Sequence, residues 1–108
     1  MQPKNIFSLE NMPRVGHHEQ FETLCSDHNI RIERIISRGQ ITPHDQWYDQ
    51  PENEWVLLIQ GKASIEFENG DMLHLGAGDY IFLPSGLKHR VAYTSKNPPC
   101  IWLAIHFK

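Results

Sequence analysis

The chain has 108 residues, enough for one domain around one core but not for two. Its composition, 40% apolar and 21% charged, is that of a folded globular protein, without the charge excess of a disordered one. The net charge of −3, with Lys and Arg scattered singly, provides no basic stripe for phosphates, so no nucleic-acid partner is expected.

Apolar runs such as Trp55 to Ile59 are far below the ~20 residues that cross a bilayer. Residues 1–5 lead into no secretory apolar stretch. The expectation is a cytoplasmic chain with no membrane partner. Cys25 and Cys100 are isolated from one another and from any CxxC pattern, which indicates neither a disulfide framework nor a zinc knuckle.

Residues 1–16 carry Pro3, Pro13 and Gly16 without a period and read as an extended arm. Between His17 and Asp27, Phe21, Leu24 and Cys25 recur at helical spacing, which predicts one short amphipathic helix ending before Asn29. The arm and this helix, residues 1–29, are expected to precede a barrel over residues 30–108 of the same domain. Alternation from Ile30 to Ser37 predicts a strand, followed by short runs at Trp55–Gln60, Ala63–Phe67, Met72–Leu75, Tyr80–Leu83, Arg90–Tyr93 and Ile101–Phe107. Gly61-Lys62 and Asn69-Gly70 read as tight hairpin turns, and Pro84-Ser85-Gly86 and Asn97-Pro98-Pro99 as further breaks. This rhythm predicts an all-β sandwich or barrel rather than βαβ units.

Two spaced patterns carry the chemistry. Gly78, Pro84, Gly86 and His89 stand in the spacing Gly-x5-Pro-x-Gly-x2-His, which runs one strand in, turns it, and aims His89 at one face. Val91 and Tyr93 share that face by period-two alternation. Upstream, Glu54 and Gly61 stand as Glu-x6-Gly. The first set resembles the second cupin motif, with Tyr93 where the family has Asn. The second resembles the latter half of the first cupin motif, Gly-x5-His-x-His-x3–4-Glu-x6-Gly. Counted back from Glu54, its two histidine positions fall on Trp47 and Asp49. The segments Trp47–Gln50, Glu54–Leu58, His89–Val91 and Ile101–Ala104 are similar to those of small bacterial single-domain cupins.

The resemblance implies a double-stranded β-helix, or jelly-roll barrel, a divalent metal ion and a homodimer. Asp49, Glu54 and His89 would supply two carboxylates and one imidazole, a set that Zn, Mn, Fe and Ni all tolerate. Trp47 would form an apolar wall to a substrate pocket, and Tyr93 or Glu54 would move protons on a bound small polar molecule. A second reading stays open: Glu54 and His89 hydrogen-bond one another in a ligand-binding barrel that has lost its metal. His106 alternates with Leu103, Ile105 and Phe107 and is expected to point outward if that apolar set faces the core. Trp55 and Trp102 lie on strands apolar on both faces, so the second face is expected to pack under the arm or against another subunit.

Overall fold

The computed structural model describes residues 1–10 and 18–108. Through them run β1 (Gln20–Asp27), β2 (Ile30–Ser37), β3 (Asn53–Gln60), β4 (Ala63–Phe67), β5 (Met72–Leu75), β6 (Tyr80–Leu83), β7 (His89–Thr94) and β8 (Cys100–Phe107). Every strand pairing is antiparallel. The strands make a five-stranded sheet, β1-β2-β8-β3-β6, and a three-stranded sheet, β5-β4-β7. Because the chain passes repeatedly from one sheet to the other, the architecture is an all-β jelly roll, as the strand rhythm predicts.

The core is what the two sheets bury between them. Val56 and Leu58 of β3, Ala63 and Ile65 of β4, Leu83 of β6, and Trp102 and Ala104 of β8 are packed together there. Period-two alternation places each on its strand's inner face. The opposite face of the larger sheet is apolar too: Trp55 pairs with Phe82 and Ile105, and Leu57 with Tyr80 and Leu103. Part of that face lies beneath the N-terminal arm, where Arg34 donates to the carbonyls of Ile6, at 3.0 Å, and Ser8. Beyond the arm, Tyr80 (64%) and Phe82 (53%) remain exposed, with the Trp55 and Tyr80 rings 5.3 Å apart.

Two expectations are corrected. His17 and the arm residues 11–16 lie outside the described residues, and the rest of the expected helix is strand β1, paired with β2 from Gln20 to Asp27. A register shift between Thr23 and Cys25 leaves Leu24 as the extra residue of a bulge. That inserted residue breaks period-two alternation and mimics helical spacing, while backbone pairing to β2 satisfies the amides a helix would have had to bond internally. Gly61-Lys62 is no hairpin either, because β3 and β4 belong to different sheets. It is a corner between layers, held by Ser95, whose Oγ accepts from the Lys62 amide at 3.0 Å and whose own amide donates to the Lys62 carbonyl at 2.9 Å. Asn69-Gly70, by contrast, does join the paired strands β4 and β5.

The corner makes a sharp demand on Gly61. Its φ is +97°, and a Cβ there would stand 2.9 Å from both Cys100 Sγ and Ser95 Oγ. Gly70 has a similar φ of +94° with nothing within 4 Å. Gly70→Ala should therefore cost about 1–2 kcal/mol of backbone strain. Gly61→Ala should cost about 3 kcal/mol or more, since overpacking adds to the same strain. Urea unfolding of the two variants checks the difference.

Candidate functional site

Cross-strand pairing builds the floor of the site. Residues directly opposite in an antiparallel pair share a face, so Glu54 of β3 lies beside Leu83 of β6 on one side and His106 of β8 on the other. His106 lies in turn beside Arg31 of β2. From the other sheet comes His89, at the start of β7, after the Pro84–Gly86 turn has carried the chain across from β6. The segment before β3 closes the side: the Tyr48 amide donates to the His89 carbonyl at 2.7 Å, and the His89 amide returns a bond to Tyr48 at 3.1 Å. The Gly86 amide fixes the carbonyl of Gln50 at 2.8 Å.

Glu54 (8% exposed), His89 (5%) and His106 (4%) are consequently buried together. His89 Nε2 is 3.8 Å from Glu54 Oε1, and His106 Nε2 is 3.9 Å from Glu54 Oε2. Gln50 donates its side-chain amide to Glu54 Oε1 at 3.1 Å. The partners settle the tautomers. His89 Nδ1 lies 2.9 Å from the Leu87 carbonyl, an acceptor, so Nδ1 carries a proton, and in the neutral imidazole Nε2 keeps its lone pair. His106 Nε2 lies 2.8 Å from Glu33 Oε1 and donates to that carboxylate. These groups line a cavity of about 260 Å³ that also has Glu19, Phe21, Val56, Ile65 and Trp102 in its wall.

Of the residues proposed from the motifs, the fold brings Glu54 and His89 together. Asp49 is exposed, and neither it nor Trp47 lines this cavity; Trp47 borders an adjoining groove that shares Glu19, Phe21 and Tyr48 with it. Instead Tyr48 and Gln50 do, because they fall at the three-residue rather than the four-residue spacing before Glu54. Their backbone bonds to His89 and Gly86 turn the odd-numbered neighbours away. Tyr93 is 51% exposed and outside the cavity. The cause is a bulge: Ile65 pairs with Val91 but Ser64 with Tyr93, so Ala92 is inserted and reverses the facing of the strand residues beyond it. His106 is corrected from outward to inward, since the inner face of β8 carries Trp102, Ala104 and His106 and its outer face the more exposed Leu103, Ile105 and Phe107. Glu33 and Glu19 also gave no motif signal; Glu33 reaches the site by the register of β2, and Glu19 from the position just before β1.

Burial raises the Glu19 carboxyl above its usual 4.5, opposed by a hydrogen bond from Ser37. Trp102 Nε1 donates to the same Ser37 hydroxyl at 3.2 Å, tying the carboxyl to the core. Burial, then the nearby Glu19 charge, and the Glu54 charge more weakly, also raise the Tyr48 phenol, against a Thr42 hydrogen bond. Tyr48 therefore keeps its proton as a donor.

The chemistry of the donor set decides how well a resident cation fits. Three protein ligands are the usual minimum for a catalytic transition metal. Glu54 and His89 offer two strong ones, Gln50 a weak amide oxygen, and His106 Nε2 is committed to Glu33. Among the described residues no three His, Cys, Asp or Glu side chains are grouped to hold a metal. The set falls short of a resident metal centre.

A jelly-roll barrel with an inward Glu and His at these spacings defines a class of small β-barrel proteins. Residues 35–106 match the family model of the cupin domain, and the chain belongs to the cupin family. Among solved structures, it is similar over its whole length (99% of the other chain) to a protein of Ralstonia eutropha JMP134, with 37% identity and a TM-score of 0.90; that protein's assignment as a mannose-6-phosphate isomerase is provisional. A cupin superfamily protein of Desulfitobacterium hafniense DCB-2 shares the fold at 17% identity, with a TM-score of 0.70 over 93% of this chain and 97% of the other. The DMSP lyase of Ruegeria pomeroyi DSS-3 does so at 20% identity and the same TM-score, over 83% of this chain and 47% of the lyase. No curated protein matches.

The raised Glu19 carboxyl makes a pH prediction. A carboxyl with a folded-state pKa above its unfolded value holds its proton more tightly when folded. Its favourable contribution is full below the unfolded value of 4.5 and is lost as pH rises through the folded one. Glu19→Gln keeps the shape and removes the titration. Between about pH 4 and about pH 8 the wild type should lose more unfolding free energy than this variant, as measured by urea titration at each pH.

Proposed function

We propose that this is a cytoplasmic cupin that binds, and is equipped to act on, one small organic molecule seated in the cavity above Glu54. The observation that carries the reading is a nearly buried carboxylate with two imidazoles within 4 Å, in a cavity whose wall also carries the apolar side chains of Val56, Ile65, Leu83 and Trp102. A buried carboxylate persists only where partners meet it, and a pocket of apolar walls with a few convergent polar groups is the usual form of a small-molecule site. The volume of about 260 Å³ corresponds to roughly nine waters at ~30 Å³ each, room for a compact ligand. Glu54 and His89 can exchange a proton through a ligand between them, which suits isomerase or lyase chemistry. The free cysteines Cys25 and Cys100 accord with a reducing compartment.

A sugar phosphate, the kind of substrate suggested by the Ralstonia protein, is poorly matched. Among the described residues the cavity lining has no lysine, and its one arginine, Arg31, is already shared by Glu33 and Glu52 at 3.5 Å each. A divalent ion, Zn, Mn, Fe or Ni, is the second reading, favoured by the tautomer that leaves His89 Nε2 free toward Glu54. With so few protein donors, such an ion would be held weakly and its shell completed by the ligand's own oxygens.

In the full chain stripped of metal, a fragment set spanning cationic, neutral and anionic heads should contain binders that shift the Trp102 indole NMR signal. Glu54→Ala or His89→Ala should weaken them about tenfold or more. Asp49→Ala and Tyr93→Phe should leave them unchanged. If no fragment binds until Zn²⁺ is added, and Zn²⁺ raises Tm in the wild type but not in His89→Ala, the metal reading replaces the first.

The partly exposed aromatic face of the larger sheet supports the other part of the proposal, a homodimer formed across Trp55, Tyr80 and Phe82. Sedimentation at micromolar concentration should show a dimer, and Phe82→Glu a monomer. A wild-type monomer removes the dimer and leaves the cavity untouched.

A further inference from the structure

Among the described residues, the cavity floor is short of hydrogen-bond donors. With His89 as the neutral imidazole, Nε2 is a lone pair facing a carboxylate oxygen across 3.8 Å, with no proton between them. Glu54 receives one bond, from Gln50. His106 spends its Nε2 proton on Glu33, and its Nδ1 is buried without a partner. The charge in the lining points the same way: among the described residues three carboxyl groups, Glu19, Glu33 and Glu54, stand against the guanidinium of Arg31. That guanidinium lies 3.5 Å from Glu33 and from Glu52 and has no surplus charge to offer an anion.

We infer that the cavity selects an organic ammonium, a primary amine with a compact apolar or aromatic body. This deepens the proposed binding function and rests on it. An ammonium nitrogen on the cavity side of His89 Nε2 and Glu54 Oε1, about 2.8 Å from each, bridges the pair and gives N–H donors to both. Its charge is met by Glu54, and the aromatic rings of Tyr48 and Trp102 in the lining are surfaces on which cations and apolar groups both settle favourably. A neutral alcohol can give only one proton to the two acceptors, and a carboxylate or phosphate none. An anion would also meet the charge of Glu54 in a poorly hydrated space.

The test titrates the full chain with three probes of equal size, benzylamine, benzyl alcohol and benzoate, following the Trp102 indole signal. Benzylamine should bind about tenfold more tightly than benzyl alcohol, the margin of charge-assisted over neutral hydrogen bonds, and benzoate should not bind. Glu54→Gln, with its fold checked by circular dichroism, should erase the preference for the amine. Benzyl alcohol or benzoate binding as well as benzylamine overturns the charge selection while the binding cavity stands. If none of the three binds in the presence or absence of Zn²⁺, the small-molecule reading falls with it. One-to-one uptake of Zn²⁺ without uptake of benzylamine assigns the gap to an inorganic cation and overturns the amine. Should Glu54→Gln fail to fold, the wild-type ranking alone decides.

Discussion

A carboxylate placed in the interior of a small barrel constrains everything around it. Taking an ionised group out of water costs several kcal/mol in real proteins unless hydrogen bonds and opposite charges replace the lost hydration. Glu54 is placed there by its parity on β3, the same parity that buries Val56 and Leu58. The surrounding polar residues answer that demand. His106 comes from the adjacent strand, His89 from the opposite sheet and Gln50 from the segment before β3. Each is oriented by a further bond, to Glu33, to the Leu87 carbonyl and to Gly86.

Bulges and corners decide which side chains take part. The inserted Ala92 reverses β7 after Val91, so Val91 lines the cavity and Tyr93 meets solvent. The inserted Leu24 does the same for β1, leaving Phe21 in the cavity wall while Cys25 pairs with the outer-face residue Ile32. At Gly61 the chain leaves one sheet for the other through a conformation that admits no side chain. A jelly roll needs such departures from regular pleating because its strands must serve two layers while the connections stay short.

The larger sheet carries two apolar faces with different fates. Its inner face meets the second sheet and becomes the core around Leu58 and Trp102. Its outer face meets the arm near Arg34 and otherwise presents Trp55, Phe82 and Ile105 in one cross-strand row. Strands of this kind read as continuous apolar runs, and for such runs parity does not say which set faces inward. That ambiguity is why His106 is read outward from sequence and found inward in the fold.

Taken alone, the sequence determined the all-β class, seven of the eight strands, the cupin family and the pairing of Glu54 with His89. Those rest on local signals: alternation, turn residues, and a motif whose Pro84, Gly86 and His89 act within one turn. Only the tertiary structure decided that Gln50 and Tyr48 face the cavity in place of Asp49 and Trp47, that Tyr93 leaves it, and that Glu19, Glu33 and His106 enter it. The reason is the period of two: one inserted residue, or one residue's difference in counting back from Glu54, sends a side chain to the opposite face. Strand identity survives such a shift, whereas site membership does not.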